Sequence, residues 1–255
     1  MKISIIGVGN MGSIFAEKLS EKAEKVLLVE KVPEKLERFK RKPFETADVE
    51  AAKFSDYIVL AVKPQDASDI LDHLKGYTGV LISIVAGLKI SKIEEHDIQK
   101  VARVMPNVGV RVEEGILAVS FSEKVHSEER ESVKSLLENL GLVVEIEEEH
   151  FPAITALTGS GPAFVFIMME SFLDAAVKMG LSFEVAKKLV CKLFEGSAKL
   201  LFETEEHPAV WKHRVSSPAG TTIEGIVAME RSGVRGGIIE SLLISYRRAL
   251  ELEGR

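Results

Sequence analysis

A run of apolar residues, Ile3-Ser4-Ile5-Ile6, ends in Gly7-Val8-Gly9-Asn10-Met11-Gly12, and a helical pattern follows at once through Ile14, Phe15, Leu19 and Ala23. Residues 2–6 run apolar more than they alternate, as a strand covered on both faces does. Strand, G-x-G-x-x-G and helix in this order restrict the start of the chain to a doubly wound α/β arrangement of the dinucleotide-binding kind. The first glycine makes the tight turn, the second lets backbone approach a pyrophosphate, and the third lets helix pack closely on strand. A glycine turn in some other doubly wound protein stays open at this point. Val26-Leu27-Leu28-Val29-Glu30 then supplies a second strand and sets an acid 18 residues after Gly12, where such folds hold a ribose diol.

The alternation continues. Glu34–Arg41 has helical spacing, Tyr57–Val62 reads as a strand closed by Lys63-Pro64, and Gln65–Leu74 is helical. Gly79–Ile84 is another strand, Ser91-Lys92-Ile93-Glu94 fits a capping box opening a short helix, and Val101–Met105 is a strand running into Pro106-Asn107. Residues 116–120, a helix over Ser127–Leu140 ended by Gly141, and a last strand over Leu142–Ile146 complete the series. This order predicts a mostly parallel sheet with right-handed crossovers, whose ligands sit beyond the carboxyl ends of the strands. Ala61–Pro64, Ile84–Gly87 and Met105–Asn107 are the strand ends of interest; Lys63 suits a phosphate contact and a solvated surface equally well.

The acid run Glu147-Glu148-Glu149 reads as a solvated boundary, and strands cease after it. A dinucleotide-binding domain over 1–150 and an all-helical domain over 151–255 follow. Pro162 suits a helix start, and Ala163–Met179 is apolar nearly all round, which demands burial in a core or against another subunit. Phe164, Phe166, Met168, Met169 and Phe172 read as packing. Ser182–Glu203, Thr222–Arg231 and Val234–Leu252 are further helices. A net charge of −6, from 33 basic and 39 acidic residues, leaves no basic field for nucleic acid. The longest apolar runs are strand-length or broken by glycine and charge, so no membrane span is expected, and the start lacks the pattern of a signal peptide. A cytoplasmic protein is the default. The lone Cys191 excludes an intrachain disulfide and reads as a buried core thiol. The six histidines show no ligand spacing, so no metal is expected.

Late in the chain, Val215-Ser216-Ser217-Pro218-Ala219-Gly220-Thr221-Thr222-Ile223 is a small-residue turn opening onto a helix. Free N–H groups and partial positive charge at such a terminus can hold a carboxylate. Thr221 with Glu224 also fits a T-x-x-E capping box, so cap and anion site both stand on spacing alone.

Taken together, the glycine motif, Ala61-Val62-Lys63-Pro64-Gln65, Arg103-Val104-Met105-Pro106-Asn107, Leu157-Thr158-Gly159-Ser160-Gly161-Pro162-Ala163-Phe164, Asp174–Gly180, Glu206-His207-Pro208 and Ser217–Glu224 resemble the pyrroline-5-carboxylate reductase family nearly end to end. The resemblance implies reduction of 1-pyrroline-5-carboxylate, a small imine, to L-proline with NADPH or NADH, the last step of proline biosynthesis. It implies dimers built through the helical domain, often assembled into larger rings, with one subunit's nucleotide domain facing the partner's helical loop. By the same resemblance, Gly7, Val8, Gly9, Asn10, Met11 and Gly12 with Ala61, Val62, Lys63 and Pro64 would hold the cofactor phosphates and ribose. Ile84, Val85 and Ala86 would line the nicotinamide side. N–H groups near Gly220 and Thr221, with the Ser217 hydroxyl, would bind the substrate carboxylate, and the Thr222 hydroxyl would meet the ring nitrogen as the catalytic contact. Glu205 and Glu148 match acidic positions near the substrate. A protonated imine is already electrophilic, so such a site needs orientation more than acid catalysis.

Two departures stand out. Relatives usually carry Pro-Gly-Gly where this chain has Pro218-Ala219-Gly220, so a Cβ must fit at Ala219, which suggests negative φ there. Glu30 with Lys31 stands where many relatives have small or hydroxyl residues near the 2′-phosphate. A carboxylate binds a diol and repels a phosphate, so NADH is expected to serve at least as well as NADPH. Lys31 and Lys35 argue the other way. Asp48 stands where relatives often have asparagine near the adenosine. One alternative, a β-hydroxyacid dehydrogenase, shares the two-domain plan but carries a catalytic lysine on the first long helix after the nucleotide domain; Ala163–Ala176 has none. The other, a non-catalytic dinucleotide-binding regulator, is disfavoured by intact Ser217, Gly220, Thr221 and Thr222.

Overall fold

The structure, a computed structural model, describes residues 1–40 and 43–254. Two compact units emerge, Met1–Gly159 with Ser245 onward, and Ser160–Ile244. Compactness therefore divides the chain later than the 150/151 boundary read from the acid run, and it returns the end of the last helix to the first unit.

The first unit runs β1 (Lys2–Ile6), α1 (Asn10–Leu19), β2 (Lys25–Val29), a 3-10 segment (Pro33–Phe39), β3 (Phe44–Thr46), α2 (Val49–Ala52) and β4 (Tyr57–Leu60). It continues with α3 (Pro64–His73), β5 (Val80–Ser83), α4 (Ile90–Glu94), β6 (Val101–Pro106), β7 (Gly115–Phe121), α5 (Ser127–Leu137), β8 (Gly141–Glu145) and α6 (Phe151–Ile154). The eight strands lie in the order β3-β2-β1-β4-β5-β6-β7-β8. Every neighbouring pair is parallel except β6 with β7. Only a short 3-10 turn, Val108–Val112, joins those two strands, too little chain for a parallel crossover. The order reverses between β1 and β4, and the crevice beyond their carboxyl ends is where such a sheet takes its ligand.

Successive residues of a strand point to opposite faces, and both faces here are covered. Ile3, Ile5, Phe15, Val59, Ile82 and Val104 form one core, and Ile6, Ile58, Leu60, Leu71, Leu81 and Ile93 the other. Ser4 of β1 is fully buried and pairs its hydroxyl with that of Ser55 at 2.7 Å. Burial on both faces is why β1 could be read from apolar content. β3 and α2 were not anticipated, being three and four residues long. The segment expected to be helical from Glu34 is 3-10 to Phe39; its end at Arg41 lies outside the described residues. The capping box expected at Ser91 does not form, because α4 already begins at Ile90. Its first N–H is taken instead by Glu148 Oε1, at 2.8 Å.

The second unit holds α7 (Gly161–Lys178), α8 (Phe183–Thr204), α9 (Pro208–Arg214), α10 (Thr221–Arg231) and most of α11 (Val234–Leu252). A π-helical turn, Thr155–Ser160, leads into α7. α7 packs beside α8, with Phe172 edge-on to Phe194 at 5.4 Å between ring centres. Within one chain the expected burial of α7 does not occur: Ala176 is its only buried residue, and Phe166 and Ile167 are about three-fifths exposed. Cys191, expected in the core, is exposed on α8. The expectation of no span-like segment also fails by length and composition, since the helical stretch Glu148–Lys178 is long and apolar enough to cross a membrane. Runs that glycine seemed to divide are joined by continuous helix.

Candidate active site

The glycine loop bridges the carboxyl end of β1 and the start of α1. Gly7 has φ +93°, and a Cβ there would stand 2.7 Å from the Ala61 carbonyl oxygen. A Cβ on Gly12 would fall on the Gly7 carbonyl, whereas one on Gly9 would meet nothing within 4 Å. The outer two glycines are thus demanded by the protein's own backbone, and the middle one leaves room for a ligand. No side chain caps α1, so its first-turn N–H groups can serve an anion. These features fit the pyrophosphate of a dinucleotide.

Glu30 follows β2 and points back into this loop, its side chain 5% exposed. Oε2 accepts the Val8 N–H at 2.8 Å and the Lys35 ammonium at 3.3 Å; Oε1 accepts the Val32 N–H at 3.0 Å. Burial by itself would raise the carboxyl's pKa, but the two backbone donors and Lys35 outweigh it and hold it below the ordinary range. Lys31 turns away and pairs with Asp66 of α3 at 2.9 Å. Lys31 and Lys35 are therefore both already matched with carboxylates, a pairing that no local spacing in the sequence reveals.

Ala61 and Val62 are half-buried after β4, its amide held by the Ile6 carbonyl at 2.8 Å in the case of Ala61. Lys63 is exposed and stands at the start of α3, with Pro64 in the first turn. Ile84 is half-buried, Val85 buried and Ala86 exposed beyond β5. Asp48 caps α2, accepting the Ala51 N–H at 2.7 Å.

In the second unit, α8 ends on Glu205 at φ +53°, and His207 opens α9 by accepting the Ala209 N–H at 3.2 Å. α9 was missed from sequence, although His207-Pro208 is a helix-start signal. Arg214 pairs with Glu206 at 2.7 Å and lies over the Trp211 ring, whose Nε1 donates to Thr204 at 3.0 Å. This stitching leads into the Ser217–Thr222 loop. The Gly220 N–H donates to the Ser217 carbonyl at 3.1 Å, and Ala219 has φ +56°. Pro218 followed by a residue of positive φ is the type II turn pattern, which favours glycine third. The negative φ expected at Ala219 is thus wrong: the turn geometry is kept and the Cβ is strained.

The capping box expected from Thr221 to Glu224 is also absent. α10 begins at Thr221 itself, with Gly220 extended before it and no side-chain cap. Its leading N–H groups are not taken by a side chain, and the half-buried Thr222 hydroxyl has no hydrogen-bond partner among the described residues. Ser217 and Thr221 are exposed beside it. One turn therefore collects N–H donors and hydroxyls that the chain itself leaves unused, suited to a small carboxylate with a neighbouring hydrogen-bonding atom. Glu148 lies in the other unit, its Oε1 shared by the Arg103 guanidinium at 2.9 Å and the Ile90 N–H at 2.8 Å. Among the described residues no group of three or more His, Cys, Asp or Glu could hold a metal.

Comparison with known proteins places these features in context. A family model described as "Pyrroline-5-carboxylate reductase dimerisation" matches residues 148–252, and one described as "NADP oxidoreductase coenzyme F420-dependent" matches residues 2–87. Pyrroline-5-carboxylate reductase of Aquifex aeolicus is 40% identical over 260 residues, covering 99% of this chain and 97% of its own. That of Synechocystis is 39% identical over 206 residues, 80% of this chain and 77% of its own. The Plasmodium falciparum pyrroline carboxylate reductase with NADP bound superposes with a TM-score of 0.89 at 28% identity, covering 99% of this chain and 98% of its own. The Coxiella burnetii pyrroline-5-carboxylate reductase superposes at 0.88 with 30% identity, covering 98% and 97%.

Proposed function

The chain belongs to the pyrroline-5-carboxylate reductase family, and from that premise we propose how its residues reduce 1-pyrroline-5-carboxylate to L-proline with NAD(P)H. The observation that carries the reading is the uncapped start of α10, with the Thr222 hydroxyl left free, in a chain that also builds a complete glycine cradle. The α10 N–H groups and the Ser217 hydroxyl hold the substrate carboxylate, and Thr222 orients the ring nitrogen, where a proton resides through the reaction. When bound, NAD(P)H supplies the hydride that the imine carbon accepts. Gly7–Gly12 and Ala61–Pro64 hold its phosphates and ribose, Asp48 lies toward the adenosine, and Ile84, Val85 and Ala86 shield the nicotinamide from water. Glu205, fixed in a left-handed conformation, supplies negative charge near the protonated imine.

The protein forms homo-oligomers through the helical unit. We place the working site between one subunit's cofactor cradle and the partner's Ser217–Thr222 loop, in a dimer that extends to a ring, within the cytoplasm and without nucleic-acid or membrane partners. For the cofactor, the negative Glu30 and the pairing of Lys31 with Asp66 favour a diol over a 2′-phosphate, so NADH serves at least as well as NADPH. A preference for NADPH of about tenfold or more in kcat/KM, equivalent to about 1.4 kcal/mol, sinks that point.

The reaction is tested by loss of NAD(P)H absorbance on adding racemic 1-pyrroline-5-carboxylate. No turnover by folded, cofactor-binding protein would overturn the assignment. Thr222→Ala impairs reduction and leaves NAD(P)H affinity nearly intact; the reverse pattern removes Thr222 from the reaction.

A further inference from the structure

We propose that Glu148 is a positioning residue, holding the segment between β5 and α4 in the shape that hydride transfer requires, and acting through backbone. The inference rests on the reading that Ile84–Ala86 line the nicotinamide. This segment is fixed at its start, where the Ile84 N–H donates to the Leu60 carbonyl at 3.0 Å. Midway, Gly87 turns with φ +74°, and a Cβ there would stand 3.1 Å from the Leu252 carbonyl oxygen, so the end of α11 lies against it. At its far end α4 has no side-chain cap from Lys89, and the Ile90 N–H goes to Glu148 Oε1 at 2.8 Å. A carboxylate from 58 residues away therefore does the work of a cap.

What makes Glu148 a firm anchor is the group behind it. The same oxygen accepts from Arg103 Nη1 at 2.9 Å, and Arg103 is 3% exposed. Its guanidinium lies 4.3 Å from the centre of the Phe151 ring, and its Nη2 donates to Glu253 Oε1 at 2.5 Å. A planar guanidinium packed on a ring and bonded at two nitrogens has little freedom, and charge-assisted bonds in a dry site are strong. Glu148 passes that rigidity to the first donor of α4. Displacement of a positioning element by about 1 Å can cost roughly a hundredfold in rate, so even a modest release of Ile90 is measurable.

The test is steady-state kinetics with each substrate varied, on Glu148→Ala, Glu148→Asp, Glu148→Gln and Glu253→Ala. In Glu148→Ala, kcat falls by about tenfold or more and the KM for NAD(P)H rises, while the KM for the imine stays within about twofold. Glu148→Gln keeps an oxygen of the same reach for Ile90 and recovers the cofactor KM. Glu148→Asp keeps the charge for Arg103 but is a methylene short of Ile90, and repeats the alanine defect more mildly. Glu253→Ala weakens the hold on Arg103, lowers Tm and reproduces the rise in cofactor KM of Glu148→Ala only in part. If alanine prevents folding, the contrast between Asp and Gln decides. A raised imine KM with unchanged cofactor KM means that Glu148 touches the substrate, and overturns the proposal. So does a Gln variant as impaired as Asp, unaltered kinetics in all Glu148 variants, or a Glu253→Ala defect equal to that of Glu148→Ala. An inactive wild type fails the reaction assignment; an active wild type with unaffected variants fails only the positioning role.

Discussion

Residues Lys2–Ile6 and Gly161–Lys178 are both apolar almost throughout, and the chain by itself hides only one of them. β1 has a strand on each side and helices over each face, so Ile3, Ile5 and Ile6 are at most 1% exposed. α7 leaves Phe166, Ile167, Phe172 and Val177 open to solvent. Among the described residues of Ser160–Ile244, only Ala176, Ala186 and Val190 are buried. Apolar exposure on this scale marks an interface, and the matching family model over residues 148–252 is described by dimerisation. The lesson is that the two halves of the enzyme obtain stability differently. The nucleotide-binding half closes its own core, and the helical half borrows that closure from a second copy, so its stability depends on protomer concentration.

The contrast can be broken most severely on α7. Ile167→Glu places a charge on the open face, and the protein sediments as monomer, with turnover reduced by roughly a hundredfold and NADH affinity nearly retained. An oligomer of unchanged size and activity would show that α7 is not the shared surface. The opposite lesion is Gly12→Ala, whose Cβ falls on the Gly7 carbonyl. Fluorescence titration should find NADH affinity weaker by about tenfold or more, with sedimentation unchanged, because the overlap lies in the cradle alone.

A milder probe of the self-contained half is pH. The folded pKa of Glu30 is lowered, so its contribution to stability is complete above the ordinary carboxylate pKa and is lost as pH falls through the lower folded value. Denaturation between neutrality and acid should therefore show a smaller loss of stability in Glu30→Gln than in wild type; an identical slope would mean that the bonds to Val8 and Val32 contribute nothing. Smallest is Ala219→Gly, which relieves a left-handed residue and should stabilise by about 1 kcal/mol in urea unfolding, a gain confined to the helical half. A loss would mean that the Ala219 methyl makes a contact worth more than its strain.

The amino-acid sequence by itself determined the elements whose cause is local or repetitive. A strand buried on both faces is apolar wherever it sits, and a glycine that must turn or be closely approached is legible as glycine, so β1, the glycine turn and most of the order of strands and helices could be read, while the short β3, α2 and α9 could not. So could the Ser217–Thr222 loop, because its small residues and hydroxyls are consecutive. Tertiary structure decided what depends on residues distant in the chain. The cap of α4 comes from Glu148 and not from Ser91, the partner of Lys31 is Asp66, and Arg103 meets Glu253 across 150 positions. The two capping boxes failed because a box forms only when its first residue is the N-cap just ahead of the helix, and α4 and α10 start early enough to take Ser91 and Thr221 into the helix itself. Ala219 was misjudged because a side chain reports what a backbone prefers, while the turn between α9 and α10 imposes φ regardless of it.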